Sequence, residues 1–341
     1  MDQGAFVIRP LRSSDFDWLY ETSRNLDPGL TSLPSNKEYL RHRVDIVEKS
    51  FKEQLPIAER VFLFVREELT SNKLVGIAGI QAVAGPQVPF YNFQISTVSQ
   101  LCEKLEIYLE HNILSVVNNF QAASELISLW LHPDYRGKDL SKCLSLSRFL
   151  FMAQYAQFFS NEVIAEIRGV CDNNGNSPFW DSLGRHFFAM DFTEADYLTM
   201  SSGKQYISDL MPRVPIYVRL LSEAAQQVIG EPHPTARAAA YRLHEEGFKF
   251  SKHVDIFDAG PLLHAHTNEI KTIANSKVTN IKAIENRLQE GSLVLISNNQ
   301  LDVRITASII DIDDNGDVTI SNNMAKILEL APGDQIRYCP I

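Results

Sequence analysis

The segment ELISLWL (Glu125–Leu131), HPDYRGKDLS (His132–Ser141) and KCLSLSRFLFMAQYAQFF (Lys142–Phe159) changes its period twice. Alternating apolar residues are broken by Pro133 and Gly137, and apolar spacing then becomes helical. This order predicts a strand, a tight basic turn and a helix start. The amides of a helix's first turn have no intrahelical partner and carry the positive end of the dipole, so such a junction suits a phosphate. Arg136 adds a charge to the turn. Taken alone, the same pattern also fits an ordinary strand–loop–helix unit of an α/β core.

Upstream, residues 5–9 read as a strand, SSDFDWLYETS as a helix capped by Ser13 or Ser14, and Lys37–Lys52 as a second helix. RVFLFVREE, KLVGIAGIQAV and PFYNFQIS read as strands, giving a β-α-α-β-β-β meander before the junction. Downstream, EVIAEIRGV is a continuous apolar strand of the buried type. SPFWDSLGRHFFAMDF then predicts a short helix with Pro178 near its start, a stop at Gly184 and an aromatic strand. HPTARAAAYRLHEEGFKF repeats that order, with its stop at Gly247. Two such units predict an internal duplication. Beyond about Thr272, strands around Asn315-Gly316 and Pro332-Gly333 turns, with one helix near Met324, predict a small β-rich module.

A chain of 341 residues exceeds one typical core, so two domains and a small third are expected. The net charge of −10 argues against nucleic acid as a partner. Cys102, Cys143, Cys171 and Cys339 are far apart with no CxxC pair, which disfavours a structural zinc site or a disulfide framework and fits a reducing cytoplasm. No segment approaches transmembrane length, so no membrane association is expected.

The meander, the RxxxxS-type turn into a helix and the strand after it resemble the GNAT-type acyl-CoA N-acyltransferase fold. That resemblance implies an α+β GNAT-like fold in which Leu129, Leu131 and Arg136 contact the acyl-CoA. Longer strings narrow it: GLTSLP (Gly29–Pro34), PFY (Pro89–Tyr91), SRFLFMA (Ser147–Ala153), SPFWDSLGRHFFAMDFTEADYL, LMPRVPIYV and VDIFDAGP. Together they resemble the arginine N-succinyltransferase family over nearly the whole chain. The resemblance implies transfer of succinyl from succinyl-CoA to the α-amino group of L-arginine, in arginine catabolism. It also implies assembly as a homo-oligomer or with a paralogue. The family's cofactor-contacting leucine falls on Leu129 of SLWL, and its proton-donor histidine on His233 of GEPHPT. The expected organisation is a GNAT-like acyl-CoA domain over 1–200, a second GNAT-like half-unit carrying His233 over 201–272, and the β-rich module over 273–341.

Two departures stand beside the likeness. Asp139-Leu140-Ser141 occupies the place of the family's Gly-Asn-Gly run, and ISTVSQLCEKL stands where the family has a histidine-containing string. Loss of glycine restricts left-handed backbone geometry. Asp139 also brings a negative charge towards a pyrophosphate, a repulsion of about 1 kcal/mol at 4 Å in water and about 4 kcal/mol at an intermediate dielectric.

Acyl transfer to an amine needs a neutral amine, donors for an oxyanion and a proton for the thiolate. A central-strand amide near Leu129 or Trp130 suits the oxyanion. His233 suits the proton, because imidazole titrates near neutral pH. His186 reads as structural. His264 and His266 share a strand face at i and i+2, but the sequence offers no third ligand, so no metal is expected. Guanidinium recognition points to Glu166, Asp191, Glu194, Asp196, Asp255 or Asp258, and the succinyl carboxylate to Arg168, Arg185 or Arg213. Alternatives are N-acyl transfer to ornithine or another amine, and a non-catalytic subunit beside an active paralogue.

Overall fold

The computed structural model describes residues 6–341 except 27–31, 87–88, 138, 173–174, 202–204, 287 and 289–290. The first three residues of the GLTSLP string therefore lie outside the described residues. Strand β1 (Phe6–Pro10) leads to helices α1 (Phe16–Arg24) and α2 (Lys37–Phe51), then to β2 (Val61–Glu68) and β3 (Lys73–Gln81). The hairpin β4 (Asn92–Cys102) and β5 (Ile107–Val117) precedes β6 (Ser124–Leu131), α3 (Leu140–Gln154) and β7 (Glu162–Glu166). Next come α4 (Arg185–Phe188), α5 (Phe192–Ser201), α6 (Gln205–Leu210), β8 (Ile216–Tyr217), α7 (Glu223–Val228) and α8 (Arg237–Glu245). The antiparallel pair β9 (Lys249–Val254) and β10 (Pro261–His266) follows. Finally come α9 (Lys271–Asn275), β11 (Lys277–Glu285), β12 (Ser292–Asn298), β13 (Ile305–Ile312), β14 (Val318–Ser321), α10 (Asn322–Leu328) and β15 (Gln335–Pro340).

The strands form one continuous sheet whose middle runs β1-β2-β3-β6-β7-β10-β9-β4-β5. Only β6–β7 is parallel within that run, because α3 carries the chain across between them. The meander expected before the junction is interrupted. β3 pairs with β6, while the β4–β5 hairpin crosses to the far side and pairs with β9.

Helix α2 is fixed locally by Asn36, whose side chain accepts from the Tyr39 amide at 3.0 Å, a cap worth about 1 kcal/mol. Its Leu40, Val44, Val47 and Phe51 recur at helical spacing and are buried. α1 begins at Phe16 with Asp15 in the cap position, where Ser13 or Ser14 was expected, because a buried Arg9–Asp15 ion pair at 2.8 Å holds the turn. α3 is buried almost all round, lying across β3 and β6 with β12, β13 and β15 against it. Phe51, Phe62, Phe64 and Phe151 pack edge-on or tilted at 5.0–5.7 Å in this main core.

The aromatic strand expected after Gly184 is helical. A π-helical turn, Trp180–Gly184, runs straight into α4. A Cβ on Gly184 would lie 2.2 Å from the Trp180 ring, so this glycine permits close packing and does not end the helix. After Gly247, by contrast, β9 follows as a strand, so the two units differ in structure. The strands of 201–272 that follow α8, β9 and β10, extend the first sheet from β7 and form no separate sheet. The last five strands, β11–β15, belong to the same sheet, with β13 joining β1 through Ile8↔Ile305.

Candidate active site

The ladder between β3 and β6 slips once. Ile77 faces Trp130 and Gly79 faces Ile127, so Ser128 and Leu129 together oppose Ala78. This is a bulge on β6, with Ser128 at φ 59°, and it turns the strand locally. On the other side β6 is registered with β7 only at Ser124↔Val163 and Glu125↔Ile164. Beyond Glu125 the parallel strands part. The β6 backbone from Ile127 to Leu131 therefore has no ladder partner on that side among the described residues. Leu129 is half-buried at this opening. The Leu131 side chain is buried in the main core, so only its backbone faces the turn.

Arg136 is tied to the end of β6, its Nε donating to the Leu131 carbonyl at 3.2 Å. Gly137 (φ 82°) and Asp139 (φ 54°) both adopt left-handed geometry before α3 starts at Leu140. The positive φ that the family's glycines would supply is thus kept with aspartate. The Asp139 side chain makes no capping bond, which leaves the first-turn amides of α3 uncapped.

Arg66 of β2 lies beneath this turn and was not singled out from the sequence. It is buried, its Nη1 donates to the Leu140 carbonyl at 2.8 Å, and its guanidinium sits 4.8 Å from the Phe6 ring centroid. Burial lowers its pKa and raises that of the neighbouring Cys143 thiol. No carboxylate of the described residues lies within 4.0 Å of Arg66, so a positive charge stands behind the helix start without an ion-pair partner.

The chain leaves β7 at Glu166 and passes through Arg168 and Gly169. There the His233 amide donates to the Arg168 carbonyl at 2.8 Å, and Gly169 bridges Pro232. His233 Nδ1 lies 2.8 Å from the Thr235 hydroxyl and 3.3 Å from the Thr235 amide, which can only donate. That bond places the neutral imidazole's hydrogen on Nε2. Arg168 Nη2 donates to Cys171 Sγ at 2.9 Å, while its Nε is buried without a partner. Gly169 is held from below, its amide donating to Asp258 at 2.7 Å. Asp258 is buried beside Asp255, and burial together with that second carboxylate holds its pKa well above the usual value. An open cavity of ≈ 820 Å³ begins at Val170 and is lined by Cys171, Asp172, Asp181, Ser182 and His186.

The acidic candidates separate on this geometry. Asp255 and Asp258 serve backbone amides of their own loop, and Asp191 pairs with Arg185 at 2.8 Å. Glu166 accepts from Asn92 at 3.0 Å, Glu194 is exposed on α5, and the Asp196 side chain lies outside the described residues. Asp172 and Asp181, passed over in the sequence, line the cavity. Arg185 is engaged by Asp181 and Asp191, and Arg213 is exposed. Arg168 alone of the three lies beside His233. His264 and His266 meet a third donor, Glu162, across the β7–β10 pair.

A splayed parallel pair, a bulge at the parting and an uncapped helix start compose an acyl-CoA N-acyltransferase scaffold. Residues 6–272 match the family model for the arginine N-succinyltransferase beta subunit. The chain belongs to the arginine N-succinyltransferase family. It is an acyltransferase of α+β GNAT-like fold. It is 40% identical over 336 residues, 98% of either chain, to arginine N-succinyltransferase subunit beta of Pseudomonas aeruginosa. It is 36% identical over 332 residues, 97% of either chain, to arginine N-succinyltransferase of Photorhabdus laumondii. Among solved structures it resembles arginine/ornithine succinyltransferase subunit AI from Pseudomonas aeruginosa, with TM-score 0.89, 33% identity and 98% of both chains covered. Among the described residues, no helix is long and apolar enough to cross a membrane.

Proposed function

We propose that this chain transfers succinyl from succinyl-CoA to the α-amino group of L-arginine by direct attack, with His233 donating the proton to the departing thiolate. The observation that carries the reading is the parting of β6 from β7 after Glu125 beside an uncapped α3. Pantetheine amides would complete the unpaired β6 edge at Leu129–Leu131. The pyrophosphate would meet the first amides of α3, Arg136 and the field of Arg66. The thioester carbonyl then lies near the bulge, where an amide of Leu129 or Trp130 can meet the oxyanion. His233 would donate as the imidazolium, passing its Nε2 proton to the thiolate, and the proton shed by the attacking amine would restore it.

Arg168 is the candidate for the succinyl carboxylate, because its Nε is buried with no partner and it adjoins His233. The cavity beyond Val170 suits the arginine, with Asp172 and Asp181 giving its wall an acidic character. Ornithine carries a point charge in place of the planar fork, so the same cavity would hold it less selectively. Thiol release from succinyl-CoA, followed with L-arginine and with L-ornithine, tests this reading. Faster release with arginine supports it, and no release with either amine refutes it.

The distal β4–β5 hairpin exposes Leu101, Leu105, Ile107, Tyr108 and Leu109. Such an apolar arm fits a homo-oligomer or a complex with a paralogue, which light scattering of a Leu101→Ser/Leu105→Ser variant tests through loss of mass. All four cysteines are unpaired, which fits a cytoplasmic location.

A further inference from the structure

Three ligand-type side chains meet at the end of β7 remote from Arg168. Glu162 opens β7 and stands opposite His266 at the end of β10, while His264 stands opposite Ile164. Directly opposed and alternate residues share one face of an antiparallel pair. Leu263 and Ala265 point into the main core, so the two histidines face the other side. Glu162 Oε1 lies 3.5 Å from His264 Nε2 and 4.0 Å from His266 Nδ1. All three donor atoms fall within 4.8 Å of one another. His264 Nε2 is buried and makes no hydrogen bond, whereas buried ring nitrogens ordinarily find one. The His264 ring is flanked by Phe120 and His266, each at 5.3 Å. Among the described residues, the two imidazoles are the only basic side chains within 4.0 Å of the Glu162 carboxylate.

We propose that Glu162, His264 and His266 bind a divalent transition-metal ion of the zinc type, with water in the fourth position. Donors around a tetrahedral zinc with bonds of about 2.0–2.1 Å stand about 3.4 Å apart. The His264–Glu162 separation is already close to that value. The remaining closure falls to Glu162 and His266, whose side chains are 43% and 52% exposed and free to rotate inward. Two imidazoles and one carboxylate suit zinc over magnesium or calcium, which prefer all-oxygen shells. The ion would pin β7 to β10. Glu162 precedes Glu166 by four residues, about 13 Å of strand, so the ion stands apart from the acyl-transfer site. The sequence shows the His264/His266 pair but hides Glu162, which only the strand register brings to it.

The test uses chelator-stripped full-length protein titrated with zinc chloride by calorimetry, with thermal melting in parallel. The expected result is one zinc per chain, a raised melting temperature, and binding weakened at least about tenfold in His266→Ala and in Glu162→Gln. Both variants keep wild-type kcat/KM for acyl transfer. His266 is half-exposed, and melting without zinc reports whether each variant is folded. Folded wild-type protein that takes up no zinc overturns the proposal. So does zinc binding that is undiminished in a folded His264→Ala/His266→Ala variant, which would place the ion elsewhere.

Discussion

The amide of His233 donates to the carbonyl of Arg168 at 2.8 Å, so the residue that suits proton donation and the residue that suits a carboxylate are fixed to one stretch of backbone. Asp258 supports that stretch from the other side through the Gly169 amide. The acyl donor's thioester and its terminal carboxylate would therefore be read by groups whose spacing is set by the main chain.

Replacing His233 with Ala removes the proposed proton donor but none of the groups proposed to hold CoA. Steady-state kinetics should show kcat lowered by about 10²–10⁴-fold, with succinyl-CoA affinity by calorimetry within about twofold of wild type. Unchanged turnover would remove His233 from the mechanism.

For Arg168→Ala, the expected loss falls on donor selection. kcat/KM with succinyl-CoA should drop at least about tenfold while any turnover of acetyl-CoA stays level, and Arg168→Lys should recover part of the loss. Equal losses with both donors would mean that Arg168 only supports the backbone.

Asp139 combines left-handed geometry with a negative charge at an uncapped helix start. Asp139→Asn tolerates the same φ without the charge, and Asp139→Gly removes strain as well. Both should tighten CoA by about fivefold or more, corresponding to about 1 kcal/mol of repulsion. Unaltered affinity in both would show that the carboxylate points away from the phosphates.

The Asp258 carboxyl, raised above its ordinary 3.8 by burial and Asp255, makes stability depend on pH. A raised folded-state value means that the folded protein binds the proton more tightly. The associated stability is full below the unfolded value and is lost as pH rises through the folded one. Denaturant midpoints from about pH 5 to about pH 8 should fall more steeply for wild type than for Asp258→Asn. Parallel slopes would mean that the carboxyl is ionised throughout.

The sequence was legible where local chemistry decided the outcome. Pro133 and Gly137 end β6, and alternation before them with helical spacing after them gives the junction that positions the site. Gly184 misled because glycine serves two purposes: there it makes room for the Trp180 ring and does not stop the helix. β5 went unread because Ile107-Tyr108-Leu109 and then Glu110-His111-Asn112 come as blocks, apolar and then polar, so the strand lacks alternation in its outer half. Arg66, Asp172 and Glu162 carry no local signal, since their roles arise from strands and loops brought together by register. His233 was singled out through the GEPHPT string, and its tie to Arg168 emerged only with the fold.

The central claim is that the opening between β6 and β7 receives an acyl-CoA. Calorimetric titration of the full-length protein with CoA tests it most directly. The account predicts saturable binding at one site per chain, tightened by Asp139→Asn and weakened by Arg136→Ala. Absence of binding heat at several temperatures, with the protein folded by circular dichroism, would contradict it.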